Sequence, residues 1–190
     1  MATRKPRFIL ALAALAAATP TLAQGQQKGI MAELIGTIET AEQKIVGLAE
    51  AIPADKYSWR PGDGVRSVGE VVLHVAADNY LLAAVGGSPA PAATGIKGDD
   101  YMTAVTYEKK PMSRDETIAA VKASFAHLKK AMTDVPDSRL NEPVSMFGQQ
   151  ASMQSLWVLT TTHLHEHLGQ LIAYARTNDV VPPWSRGNGN

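Results

Sequence analysis

The 190-residue sequence is 45% hydrophobic and 19% charged, the size and apolar content of one globular domain rather than of a disordered chain or a multidomain array. Its 18 basic and 18 acidic residues balance, and the basic residues are scattered beyond the N-terminus, so nucleic acid is not expected as a partner. Cysteine is absent, which excludes disulfides, thiolate metal sites and cysteine nucleophiles, and leaves histidine and carboxylate as metal ligands.

The N-terminus has the order of a secretory signal peptide. Three basic residues among the first seven precede an apolar run over residues 8–18, and small residues follow up to Ala23. The apolar run is shorter than the ~20 residues that span a bilayer. We therefore predict a signal peptide over residues 1–23 and a periplasmic or secreted domain over residues 24–190. No later segment is expected to span a membrane, so no membrane contact is expected after cleavage.

Two helices are predicted in the first half of the chain. Apolar residues recur every three or four positions over residues 28–52, the pattern of an amphipathic helix, and Pro53 ends it. Ser67 and Glu70 form a capping box, in which each side chain satisfies a backbone N–H that the helix leaves unpaired. This box predicts a second helix over residues 67–85, which a pair of glycines ends.

Two more helices are predicted in the second half. A second capping box, of Ser113 and Glu116, begins a regular apolar stripe that Pro136 stops. A fourth stripe begins near Ser152 and is closed by Asn178.

The sequence favours an all-α fold. No alternating run of β-branched residues bounded by hairpin turns is present, so a sheet is not expected. The connection over residues 86–112 is rich in Gly, Pro and Ala and is too long for a simple antiparallel turn. Together these features predict a four-helix bundle with a long crossover between helices two and three. The pattern within the crossover assigns neither helix nor strand.

Three of the five histidines lie together in the fourth helix. His163 and His167 are four residues apart, so both imidazoles leave the same helix face, and the apolar stripe places that face toward the bundle axis. His165 should point away from that face. In the second helix, His74 lies on the apolar stripe and can also face the interior.

Inward histidines predict a metal site. Each ring carries polar nitrogens that need partners away from water, and one divalent cation could bind His74, His163 and His167 together. Three histidine ligands with an open fourth position are typical of catalytic zinc sites. Ordinary core or surface histidines without a metal remain the alternative. The H-E-x-x-H metalloprotease motif is excluded, because Gly169 stands where its second histidine would be.

One combination of short motifs runs through most of the predicted mature domain: residues 57–61 (YSWRP), 67–74 (SVGEVVLH), 79–80 (NY), His163 and 167–170 (HLGQ). In this combination the sequence resembles the DinB/YfiT-like four-helix-bundle proteins. The resemblance implies a divalent metal, most often zinc or nickel, held in an open pocket by one histidine of the second helix and two of the last, here His74, His163 and His167. Leu168 stands where many members have Arg, and His165 is additional to the pattern.

The predicted function is that of an exported, divalent-metal-dependent enzyme, a hydrolase or a thiol or group transferase, acting on a small molecule. A non-catalytic metal-binding or stress-related bundle is the alternative. Whether the chain forms a homodimer is left undecided by the sequence.

The roles of several nearby residues also stay open. Asp78 is either a general base or a hydrogen-bond partner of a ligand histidine, whereas Glu166 is expected in solvent. Gln170 is either a site residue or an ordinary exposed one. The aromatic residues Tyr57, Trp59 and Trp157 either line a pocket or pack at the ends of the bundle.

Overall fold

The computed structural model describes residues 29–187, so the predicted signal peptide lies outside the described residues. The helices are α1 (Ile30–Ala51), α2 (Val68–Val85), α3 (Tyr101–Glu108), α4 (Arg114–Thr133) and α5 (Met153–Thr177). The strands are β1 (Pro143–Met146) and β2 (Gln149–Ser152). Short 3₁₀ turns occupy Ala54–Lys56, Ala92–Thr94, Asp137–Arg139 and Pro183–Ser185. The four long helices confirm the predicted all-α bundle.

The helices begin where the capping residues predict. The Ser67 backbone N–H donates to Glu70 Oε2 (2.6 Å), and the Glu70 N–H donates to Ser67 Oγ (3.3 Å). Ser113 and Glu116 form the same reciprocal pair at the start of α4. These bonds stabilise the first turns because the N–H groups there have no partner within the helix.

The four long helices enclose one apolar core. Helices α1 and α2 each pack against both α4 and α5, so α1 and α2 lie diagonally across the bundle. Fully buried aliphatic and aromatic side chains from all four helices fill the centre, among them Ile45, Leu81, Phe125, Leu128, Leu164 and Leu171.

Helix α2 is the most thoroughly buried element. It is long and apolar enough to cross a membrane by length and composition, with a mean hydropathy of 1.3, which the sequence analysis did not expect of any segment after the N-terminus. However, 78% of this stretch is buried inside the bundle. A core helix passes the same hydropathy test, so this observation is weak support for a membrane span.

The connection between α2 and α4 carries the short helix α3, which the sequence left unassigned. Asp100 caps its N-terminus by accepting a hydrogen bond from the Met102 backbone N–H at 3.0 Å. Helix α3 packs against α2 and ends at Glu108, whose side chain is buried. The crossover therefore delivers an acidic side chain to the surface of α2.

A two-stranded antiparallel hairpin precedes α5, in contrast to the expectation that no sheet would form. Its two-residue turn is Phe147 (φ 51°) and Gly148 (φ 79°), with Met146 and Gln149 as the flanking pair. Positive φ at both central residues is the geometry of a type I′ turn, which usually carries Asn-Gly or Asp-Gly. The hairpin leaves no clear sequence pattern, because its strands are only four residues long and its turn begins with phenylalanine.

Candidate metal centre

The three predicted ligands meet between α2 and α5. A ligand nitrogen from each of His74, His163 and His167 lies within 4.8 Å of the other two. The ring centroids are 4.4–5.3 Å apart and the ring planes are close to perpendicular. His74 and His167 are buried, and the side chain of His163 is 22% exposed. The helical spacing therefore brings together the histidines that the sequence selected.

Hydrogen bonds fix the tautomer of His74. Its Nδ1 lies 2.7 Å from Glu108 Oε2. A carboxylate only accepts, so Nδ1 carries the proton and Nε2 keeps its lone pair. Glu108 in turn pairs with Arg66 at 3.2 Å. An acid that holds the second nitrogen of a ligand histidine is the usual arrangement around protein-bound metals.

His167 is oriented in the same way by an amide. Its Nδ1 lies 2.9 Å from Gln170 Oε1, while Gln170 Nε2 donates to the Tyr174 hydroxyl at 2.9 Å. The Tyr174 hydroxyl donates to the backbone carbonyl of Arg66. This network assigns the proton to Nδ1 of His167 and leaves Nε2 as an acceptor. Gln170 is thus part of the site rather than an ordinary exposed residue.

The residues present fit a divalent cation. The Nε2 atom of His167 is buried and has no hydrogen-bond partner among the described residues. Buried polar atoms nearly always have a partner, and an ion is one explanation when they do not. Burial lowers the pKa of His167 to about 4, and it also lowers the pKa of His74. Both rings are therefore neutral at pH 7, the form that binds metal, and three imidazoles suit zinc or nickel.

Asp78 lies against two of the three histidines. Its Oδ2 atom is 2.8 Å from Nε2 of His163 and 3.4 Å from Nε2 of His74. The carboxylate is buried on α2, one turn after His74. By the same rule Asp78 accepts a hydrogen bond from Nε2 of His163, so Asp78 acts as a hydrogen-bond partner of a candidate ligand histidine and lies beside a second one.

Two other polar residues of α5 lie outside the ligand group, as predicted. His165 is exposed and its Nδ1 bonds the Thr161 carbonyl of its own helix at 2.8 Å. The side chain of Glu166 is 76% exposed and lies 4.0 Å from His163 Nδ1.

The aromatic residues considered for the pocket pack elsewhere. Trp59 makes an edge-to-face contact with Tyr174, with centroids 5.2 Å apart, and the Tyr57 hydroxyl donates to the Ala49 carbonyl. Trp157 is fully buried. The packing interpretation of these residues is therefore the one that fits.

A cavity of about 570 Å³ opens onto the histidines. Its walls include Leu82 of α2 and Leu159 of α5 beside the polar group, and Arg66 lies at one side. Tyr101 of α3 and Phe147 of the hairpin complete the rim. A small molecule could therefore contact the ligand group directly.

Sequence reasoning missed Glu108 and Arg66. Both lie in connections rather than in the long helices, and nothing in their spacing relates them to His74. The short helix α3 places Glu108, so the tertiary path of the crossover was needed to find it.

Comparison with known proteins agrees with this architecture. The profile of the DinB superfamily matches residues 37–171, most of the bundle. The chain belongs to the DinB superfamily. No curated protein matches the sequence significantly.

Solved structures share the DinB-like fold at low sequence identity. A DinB-like protein from Bacillus cereus has a TM-score of 0.64 and 14% identity over 79% of this chain and 93% of its own. A DinB-like protein from Bacillus subtilis has a TM-score of 0.60 and 18% identity over 78% of this chain and 93% of its own. A mycothiol-dependent maleylpyruvate isomerase mutant has a TM-score of 0.54 and 10% identity, over 82% of this chain and 63% of its own.

Proposed function

We propose that this DinB-superfamily protein binds a divalent metal, zinc or nickel, through His74, His163 and His167. The observation that carries the proposal is the buried Nε2 of His167, which has no partner among the described residues and lies in a group of three converging imidazoles. Three histidine ligands would leave a coordination position for water or substrate. The metal-free alternative leaves this nitrogen buried and unpaired.

We further propose that the site is that of an exported hydrolase or a thiol or group transferase. A bound divalent ion would supply Lewis-acid chemistry and would activate a bound nucleophile near neutral pH. Glu108 and Gln170 orient His74 and His167, while Asp78 accepts a hydrogen bond from His163 and would be the general base of the reaction. Leu82 and Leu159 give this cavity two apolar walls beside the histidines.

Two features support an enzyme acting on a small molecule over a non-catalytic metal binder. A cavity of about 570 Å³ opens at the ligand group, whereas a purely structural metal site is closed. The structural neighbour named as a mycothiol-dependent isomerase supports the use of a thiol within the proposal. Export to the periplasm or beyond rests on the signal-peptide pattern of residues 1–23.

Metal titration of single variants tests the site. His74→Ala, His163→Ala and His167→Ala should each weaken zinc binding at least about 100-fold, because each removes a ligand rather than a residue that orients one. His165→Ala is the matched control on the same helix and should change affinity less than about threefold, since its ring bonds the helix backbone. Calorimetry of the four variants decides the outcome. Loss of binding in the control with no loss in His163→Ala would overturn the proposed ligand set.

Two further measurements separate the functional alternatives. Elemental analysis of untagged protein purified from its own compartment should find zinc or nickel near one equivalent. A panel of esters, amides and thiol acceptors should then be turned over by the metal-loaded protein and not by His74→Ala. Equal rates in both proteins would argue against a metal-dependent enzyme and would favour the alternative, a non-catalytic metal-binding protein.

A further inference from the structure

A second cavity adjoins the one at the histidines. It has a volume of about 830 Å³ and runs along Leu81 and Val85 of α2, with Asp99 at its polar edge. Tyr101 and Phe147 line both cavities, so these two rings form the boundary that the cavities share. A molecule bound at the histidines therefore has space to extend into beyond the two rings, along a wall that mixes apolar and polar groups.

The two rings contact each other but do not belong to the core. Their centroids are 5.9 Å apart and their planes are at 90°, an edge-to-face arrangement. Tyr101 is 45% exposed and Phe147 is 57% exposed. They come from two separate elements, the first turn of α3 and the tip of the hairpin. Two large aromatic rings held together in solvent contribute little to the bundle, and they offer an apolar surface to a ligand.

The backbone at Phe147 is strained. Its φ of 51° lies in the left-handed region, which is uncommon for any residue other than glycine and is a clear outlier for a bulky one. Asn or Asp would fit this turn position better. A ring that stays more than half exposed on a strained backbone points to a role outside folding.

We infer that the second cavity binds an aryl or alkyl arm of the small molecule whose polar end binds at His74, His163 and His167. Tyr101 and Phe147 contact that arm and determine specificity for it. The inference rests on the proposed metal site and adds the substrate class: an elongated molecule with a metal-binding group at one end and an apolar portion next to it.

Hydroxamates test this inference because their two oxygens bind a metal without requiring turnover. Calorimetry on the zinc-loaded full-length mature protein compares acetohydroxamate with a hydroxamate that carries a phenylbutyl arm. The arm should tighten binding by at least about tenfold, as expected for burial of an aromatic group. In Phe147→Asn this gain should fall to about threefold or less, while acetohydroxamate affinity stays within about twofold.

The variants are chosen to keep the fold. Asn is favoured at positive φ, so Phe147→Asn preserves the turn and should not lower the melting temperature. Tyr101→Leu tests the second ring and should reduce the affinity gained from the phenylbutyl arm in the same way. Met102→Ala is the control, because Met102 is 60% exposed on the same helix and lines neither cavity. It should leave both affinities unchanged.

Each failure has a different meaning. If both hydroxamates bind equally and Phe147→Asn has no effect, the inference is wrong while the metal site stands. If the protein holds no zinc and binds neither hydroxamate, the proposed function fails and the inference fails with it. A second copy of the chain could also cover the two rings, and sedimentation velocity tests this. A dimer that becomes monomeric in Phe147→Asn would assign the rings to a dimer interface and overturn the inference.

Discussion

The interface between α1 and α4 and the interface between α2 and α5 are built from opposite chemistry. Phe125 and Leu128 of α4 are fully buried, and of the ion pairs that link α1 to α4, Lys122 with Glu50 lies at the surface while Lys129 with Glu42 is partly covered. Between α2 and α5 the ionisable groups are inside. The first interface uses burial for stability, whereas the second holds polar groups that are costly to bury without partners.

The polar groups between α2 and α5 are not a complete network by themselves. Glu108 satisfies one nitrogen of His74, and Gln170 satisfies one nitrogen of His167. The second nitrogen of His167 has no partner among the described residues. A network that is only partly satisfied reduces stability, so its presence favours a binding role over a folding role. The difference between the interfaces can be tested by changing each in turn.

The largest effect on stability is expected from Phe125→Ala in α4. Removing a fully buried ring should lower the free energy of unfolding by about 3–5 kcal/mol, through lost burial and the cavity that remains. Urea unfolding followed by circular dichroism measures the change. Zinc affinity of the folded variant should stay within about threefold of the wild type. A large loss of affinity in protein that remains folded would show that the two interfaces are not separate.

His167→Leu should change how stability depends on pH in metal-free protein. Burial holds the pKa of His167 at about 4, below its value of 6.5 in an unfolded chain. Between these values the unfolded chain binds a proton that the folded protein does not, so the wild type loses stability as the pH falls through this window. The loss from this group should be about 2 kcal/mol between pH 7 and pH 5.

Chemical unfolding in a chelator at several pH values checks this prediction. In the leucine variant, the free energy of unfolding should not fall between pH 7 and pH 5 by the amount that His167 contributes. At pH 5 the variant should be at least as stable as the wild type, since an apolar group of similar size replaces an unpaired polar one. Parallel pH profiles of the two proteins would show that His167 is not held neutral by burial.

Much of the fold followed from local rules in the sequence. The capping pairs Ser67 with Glu70 and Ser113 with Glu116 marked the starts of α2 and α4 because they act within one turn. The hairpin was missed because Phe147 is an unusual residue for its turn, and its positive φ is one that the propensity of phenylalanine does not predict.

In the candidate site, too, some residues follow from local spacing and others only from the tertiary fold. His163 and His167 are four residues apart, so helix geometry alone placed both on one face, and the apolar stripe did the same for His74. Glu108 is 34 residues from His74 and meets it only because the crossover folds back against α2. No periodic pattern encodes such a contact.

Glu108→Gln should weaken zinc binding about 10–100-fold without unfolding the protein. The amide keeps an acceptor near His74 Nδ1 but removes the charge that makes the ring a stronger ligand. Glu166→Gln is the matched control, because this acid lines the same cavity and is 76% exposed. It should change affinity less than about threefold. Equal effects of the two variants in calorimetry would indicate a general electrostatic contribution instead of orientation of His74.

The smallest effect is expected from Lys122→Ala at the edge of the α1–α4 interface. Lys122 Nζ lies 2.6 Å from Glu50 Oε1, but the two side chains are 51% and 50% exposed. Water and salt screen such a pair, and ordering two long side chains costs entropy, so the loss in unfolding free energy should be below about 1 kcal/mol. Urea unfolding of Lys122→Ala, Glu50→Ala and the double variant isolates the coupling between the two side chains. The coupling should shrink further at high salt. A salt-independent coupling of more than about 2 kcal/mol would mean that charge at the surface, and not the buried apolar core, holds α1 against α4.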